Sequence, residues 1–166
     1  VPGEVTSPTQ PFPTRPPPFD RQGISEGDLI DLTPELRDEA LSMFRTGVGG
    51  PLFTPLIVTG AEGKVGTFQL PDLAGGANLC GAAVDPESGI LFVPSQTRVY
   101  RMAVQKPTAR QRSDRDYLPD LQGFAGPQGL PLVKPPWARV TAIDLARGEH
   151  LWQVPLGRGP HDHPAL

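Results

Sequence analysis

Proline and glycine constrain this chain more than any other feature: together they fill 41 of its 166 positions, 22 as proline and 19 as glycine. Proline lacks the N–H that a helix interior or a sheet ladder needs, and its φ is fixed. Long helices and broad regular sheets are therefore excluded. What remains is short strands joined by long irregular connections. A proline and glycine share of about a quarter borders on low-complexity disorder. However, 37% of the residues are hydrophobic, and they gather in runs such as "PLFTPLIV" and "GILFV". A chain of this length with grouped apolar runs can bury one core of ordinary domain size.

Charge and cysteine content remove several function classes. The formal charge is −3. No basic stripe with interleaved aromatics appears, so nucleic acid is not an expected partner. No apolar run approaches the length needed to cross a bilayer. The first residues, "VPGEVTSPTQ", have neither a basic start nor an apolar segment and lack an initiator Met. They read as the start of a processed or excised piece without a signal peptide. Cys80 is the single cysteine, which excludes an internal disulfide and a cysteine zinc site. Beside glycine and with no histidine near it in sequence, it reads as a small packing residue rather than a nucleophile.

The segment 7–19, "SPTQPFPTRPPPF", is dense in proline. It reads as an extended stretch over residues 1–32, lying along a surface in a polyproline-like form or serving as a disordered linker. The short "SEGDLIDL" suggests a single turn. Residues 33–46, "TPELRDEALSMFRT", predict the one helix. Thr33 is suited to be its N-cap and Pro34 its first residue. Leu36, Ala40, Met43 and Phe44 recur on one face, and Gly47, Gly49 and Gly50 end it. Strands are predicted within 52–104: "KVGTFQL", the hairpin "CGAAVDPESGILFVPS", and "RVYRMAV". Pro86 and Gly89 have the turn chemistry that closes the hairpin. Periodicity is lost over 105–136, which predicts one long loop. A second hairpin follows over 137–156, in "ARVTAIDLARGEHLWQV".

The two hairpins echo each other. Ala83, Asp85 and Gly89 match Ala142, Asp144 and Gly148, each pair 59 residues apart. An echo of β-hairpins at such a period points to a propeller-type repeat.

"AIDLARGEHLW" carries the echo further. It resembles the tryptophan-docking motif of quinoprotein propellers, Ala-x-Asp-x-x-Thr-Gly-x-x-x-Trp, with Ala142, Asp144, Gly148 and Trp152 in register and Arg147 in place of Thr. "SPTQPFP", "LTPELR", "GPLFTP", "GGAN", "DPESGILFVPS", "GLPLVKPPW" and "GEHLWQVPLG" with "DHPAL" also resemble, in order, segments of pyrroloquinoline quinone (PQQ) dehydrogenases of the glucose dehydrogenase-like branch. The resemblance covers nearly the whole chain. It implies an all-β fold: two to three blades of an eight-bladed propeller, with one short helix and long Pro/Gly-rich loops. Trp152 would then be a structural staple that packs against a neighbouring blade, its large ring burying area and its indole N–H needing an acceptor.

The resemblance also assigns a site. In "GGAN", Asn78 matches an Asn that hydrogen-bonds PQQ, and Gly76 belongs to the stretch that lets the backbone approach closely. An amide suits this, since it donates and accepts without charge. The residues alone leave a second reading open, in which Asn78 caps a turn. Leu79 stands where the family has Trp. No catalytic residue and no calcium ligand can be assigned here. Asp85 and Asp144 read as turn or docking acids, and His161 and His163 as part of a terminal loop rather than a metal site.

The function implied is that of a PQQ- and calcium-dependent dehydrogenase in the complete parent protein. It would oxidise a sugar or alcohol and pass electrons to ubiquinone or a cytochrome, in the periplasm, either free or attached to the inner membrane through a part not present here. This stretch alone is expected to be inactive and to bind no cofactor. Two other readings compete: a non-catalytic propeller module that has lost the cofactor, favoured by Leu79, and an interaction segment with open strand edges.

Overall fold

The computed structural model describes residues 3, 5, 7–9, 11–78 and 81–166. Two antiparallel sheets and one helix organise them. The helix α1, Pro34–Phe44, begins as the sequence predicts, with the Thr33 side chain accepting from the Leu36 N–H and proline in its first turn. Its buried face is Leu36, Ala40 and Phe44. Met43 packs at the margin of the same cluster. A single 3₁₀ turn, Glu26–Asp28, precedes it.

The strands are β1 (Thr67–Gln69), β2 (Ala83–Asp85), β3 (Ile90–Gln96), β4 (Tyr100–Gln105), β5 (Leu118–Gly123), β6 (Ala138–Asp144) and β7 (Glu149–Pro155). One sheet has the order β1-β4-β5 and the other β2-β3-β6-β7. The four-stranded sheet is an antiparallel meander whose middle connection, from β3 to β6, detours through the other sheet. All-β architecture with one short helix is what the sequence predicts, and two such sheets are consistent with part of a propeller.

The core lies between α1 and the inner faces of the irregular segments. Leu29, Ile30, Leu36, Phe68, Leu130, Leu132 and Val133 are almost fully buried. Phe68 is central: its ring stacks on Phe44 at 5.5 Å between centroids and meets Phe124 edge-on at 4.8 Å. Each such side chain removed from water contributes about 1.5–3 kcal/mol. Isolated bridges draw the non-strand segments in, Ile24 to Gly50 and Leu29 to Val133. Backbone pairing of this kind, rather than regular ladders, satisfies the proline-rich chain.

Two expectations change. The region 105–136 is not one loop, because it contains β5. That strand reads poorly in sequence because "LPDLQG" is polar and holds Pro119; it is an edge strand, where a missing N–H is tolerated, and its pairing is set by β4. The two echoing hairpins are not successive blades, because they lie in one sheet, joined by the β3–β6 ladder from Ile90↔Asp144 to Gln96↔Ala138. Their echo is shared turn chemistry. Asp85 Oδ1 accepts from the Glu87 N–H and Asp144 Oδ1 from those of Ala146 and Arg147. Gly89 and Gly148 close the turns at φ +68° and +65°. The proline-rich start, read as lying along a surface or as a free linker, takes the first form over residues 15–19. Arg15 reaches Glu149 at 3.0 Å, His150 Nε2 lies 2.9 Å from the Pro17 carbonyl, and Gln153 donates to the Phe19 carbonyl.

Candidate functional site

Antiparallel register sorts the four-stranded sheet into two ends. The turns at Gly89 and Gly148 share one end. The approach to β2, the end of β3, the start of β6 and the end of β7 share the other. The Gly76 carbonyl pairs with Gln96, so Asn78 stands near the end of β3, opposite the tight turns.

The turn before Asn78 has a clear local cause. Asp72 Oδ1 accepts the Ala74 N–H at 2.9 Å, and its carbonyl accepts the Gly75 N–H at 2.9 Å. Gly75 takes φ +74°, where a β-carbon is strained. The Gly76 carbonyl oxygen accepts the Gln96 N–H at 2.7 Å. Asp72 thus fills the capping role that Asn78 itself could have had. The Asn78 amide is exposed and makes no hydrogen bond among the described residues.

Asn78 lines a small hollow of about 190 Å³ with Asp72, Gly75, Gly76, Gln96 and Arg98. The Asp72 carboxylate is nearly buried and meets the exposed Arg98 guanidinium at 3.5 Å. Two uncharged amides and one guanidinium, which is always charged and presents several donors, make this a surface suited to carboxylate or carbonyl oxygens of a ligand.

Below the hollow lies a buried polar cluster that sequence reasoning missed. Asp20 and Arg139 pair at 3.2 Å with both side chains 5% exposed. Thr97 joins them, donating to Asp20 Oδ1 at 2.7 Å and accepting from Arg139. Arg21 packs nearby; burial pushes its guanidinium pKa down, and the charge of Arg139 adds to this. Asp20, Thr97 and Arg139 are 42 to 119 positions apart in sequence, and no local pattern marks them.

The other residues singled out from the sequence fall elsewhere. Ala142 is fully buried in β6 and faces Trp152 across the ladder, next to a bulge. Asp144 and Gly148 form the turn. Arg147, in place of Thr, still donates its N–H to Asp144 and adds a side-chain contact at 3.2 Å. Trp152 lies on the outermost strand and is 44% exposed, its ring 5.9 Å from that of Phe92. Its indole N–H has no acceptor among the described residues. The tryptophan held inside the chain is Trp137, which donates to the Val133 carbonyl at 2.6 Å and packs on the core. Asp85 and Asp144 serve their turns. His163 contacts the Gln128 carbonyl, and His161 lies 3.5 Å from Asp162. Among the described residues no group of three His, Cys, Asp or Glu could hold a metal ion. Leu79 and Cys80 lie outside the described residues.

Comparison with known proteins gives the context for this geometry. The chain is 27% identical over 95% of its length to the quinate/shikimate dehydrogenase (quinone) of Acinetobacter baylyi, covering 21% of that protein. It is also 27% identical over 99% of its length to the glycerol dehydrogenase large subunit of Gluconobacter oxydans, covering 25% of it. The chain thus spans about a quarter or less of the curated relatives it matches. Residues 1–166 match the family described as PQQ glucose/ethanol/alcohol dehydrogenase, beta-propeller domain, and the chain belongs to that family.

Proposed function

We propose that the whole protein containing this chain oxidises a polyhydroxylated substrate, a sugar such as an aldose or an alcohol, at PQQ and passes the electrons to a quinone or a cytochrome. The observation that carries the reading is the uncommitted Asn78 amide at the hollow, in a chain whose full length matches a PQQ family. The relatives named for quinate/shikimate and glycerol keep the substrate class broad, and the "(quinone)" in one name supports a quinone acceptor.

The residues present fit one edge of the cofactor. PQQ carries carboxylates and ring carbonyls, and Asn78, Gln96 and Arg98 offer amide and guanidinium donors at the hollow. When bound, PQQ supplies the two-electron acceptor that the protein itself lacks. Asn78 would orient it by a hydrogen bond, and Arg98, whose charge Asp72 already meets, would donate a remaining N–H to a carboxylate. Gly75, at positive φ and with open space where a β-carbon would stand, keeps the turn before Asn78 clear for the ring to approach. The calcium that accompanies PQQ in the family finds no ligand cluster among the described residues. A periplasmic location belongs to the same proposal, and cell fractionation of the full-length protein tests it.

The decisive test uses the full-length protein, freed of cofactor and reloaded with PQQ and calcium. Glucose, quinate and glycerol are offered with a dye acceptor. Turnover of any of them supports the reading. Failure to bind PQQ overturns it and leaves a non-catalytic propeller module.

A further inference from the structure

We propose that Asp20 is a positioning residue that sets where Asn78 stands, its carboxylate filling the space beside Gly76 that a side chain there would need. The inference rests on the reading of Asn78 as the cofactor-contacting residue.

Asp20 is bound asymmetrically. Three donors converge on Oδ1: the Arg21 N–H at 2.8 Å, the Thr97 hydroxyl at 2.7 Å and Arg139 Nη1 at 3.2 Å. Oδ2 is buried and has no partner among the described residues. Buried carboxylate oxygens normally have donors, so this one calls for an explanation. It lies against Gly76. A β-carbon added to Gly76 would collide with Oδ2 and come within 3.2 Å of the Asp20 Cβ. Gly76 has no positive φ, so close approach, not backbone conformation, requires glycine here.

The other side of Gly76 is held as well. Its carbonyl accepts the Gln96 N–H at 2.7 Å. The next residue, Thr97, donates to Asp20. Neighbouring residues at the end of β3 therefore hold the turn and the acid together, with Gly76 clamped between them. Asn78 is only two residues on, within about 7 Å of chain. Since its own amide is unbonded among the described residues, its place is inherited from this clamp.

A buried ion pair is by itself weak evidence for stability, because desolvation offsets the attraction. A role only in tethering the start of the chain to β6 would need Oδ1 and Arg139 alone. It would not explain an oxygen packed on a glycine.

The test uses the full-length protein. Asp20→Glu keeps the charge for Arg139 but pushes the carboxylate toward Gly76. It is expected to weaken PQQ binding by about tenfold or more, the scale of a small misplacement at a site. In an Asn78→Ala background the same change should add less than about twofold, because residues acting through one another are not additive. Full additivity overturns the proposal. A second readout needs no cofactor. In the apoprotein, Asp20→Glu should speed hydrogen exchange of the Gln96 amide by about tenfold or more while the Phe68 amide stays protected, since local opening is separable from global unfolding. Unchanged Gln96 exchange also overturns it. If Asn78→Ala leaves PQQ affinity intact, the functional reading falls and the exchange measurement still decides the role of Asp20. Should Asp20→Glu fail to fold, Gly76→Ala brings the same collision from the other side and is read the same way.

Discussion

Gly89 and Gly148 occupy matching turns at nearly the same positive φ, yet they are not equivalent. Nothing lies within 4 Å of a β-carbon on Gly89, whereas one on Gly148 would meet the Arg15 Cβ at 3.1 Å. Gly89→Ala should cost only the left-handed strain, about 1–2 kcal/mol. Gly148→Ala should cost more, because it also pushes on the segment that crosses the hairpin. Urea midpoints of the two variants check this. The turn acids have a pH consequence. The Ser88 hydroxyl, then the Glu87 N–H, hold Asp85 below its ordinary pKa, and the Arg147 N–H does so foremost for Asp144. Both groups favour folding when charged. Their contribution is present above the unfolded pKa of about 4 and is lost as pH falls through the lower folded values. The melting temperature should therefore drop on acidification below about pH 4. Ser88→Ala should raise the Asp85 pKa and leave that of Asp144 unchanged, as read by NMR titration of the two carboxyls.

Among the elements, those with a local signal were legible in the sequence. Thr33, Pro34 and the face of Leu36, Ala40 and Phe44 define α1 without tertiary help. Thr33→Ala should cost about 1 kcal/mol through the lost cap, a loss measurable by thermal unfolding. The hairpins were legible through Asp85, Gly89, Asp144 and Gly148. Strand β5 was not, because its order comes from the partner: Arg101 in β4 reaches Asp120 at 3.5 Å, and Leu118 to Gly123 follow the β4 ladder. The candidate site was half legible. Asn78 and Gly76 stand in a motif that resembles a known family. Asp20, Thr97 and Arg139 come together only through the fold, and isolated polar residues carry no spacing to betray them. Trp152 drew a packing role from its motif, whereas Trp137, the end of "GLPLVKPPW", drew none, since a Pro-Pro-Trp stretch gives no periodicity.

At the scale of the whole molecule, β7 is one of several sheet edges among the described residues. Strand β7 is the outer strand of its sheet, and Leu151, Trp152 and Val154 are all exposed on it. Residues 15–19 touch β7 through Glu149, His150 and Gln153 but leave these apolar side chains exposed, and an edge strand of this kind pairs readily with other chains. The docking-motif reading of Trp152 expects a neighbouring blade there. This chain by itself should self-associate at micromolar concentration, and Val154→Lys should keep it monomeric. Light scattering distinguishes the two outcomes, and a wild-type chain that stays monomeric would count against an open β7 edge.

The detour between β3 and β6 has a cost in time. Residue 138 follows residue 96 by 42 positions, so a ribosome making about 5–20 residues per second leaves β3 without its partner for about 2–8 s. During that interval β2 and β3 form a finished hairpin with one bare side, while β4 and β5 assemble elsewhere. The sheet that presents Asn78 is thus completed seconds after its first hairpin, and through that interval its bare side needs protection from neighbouring chains.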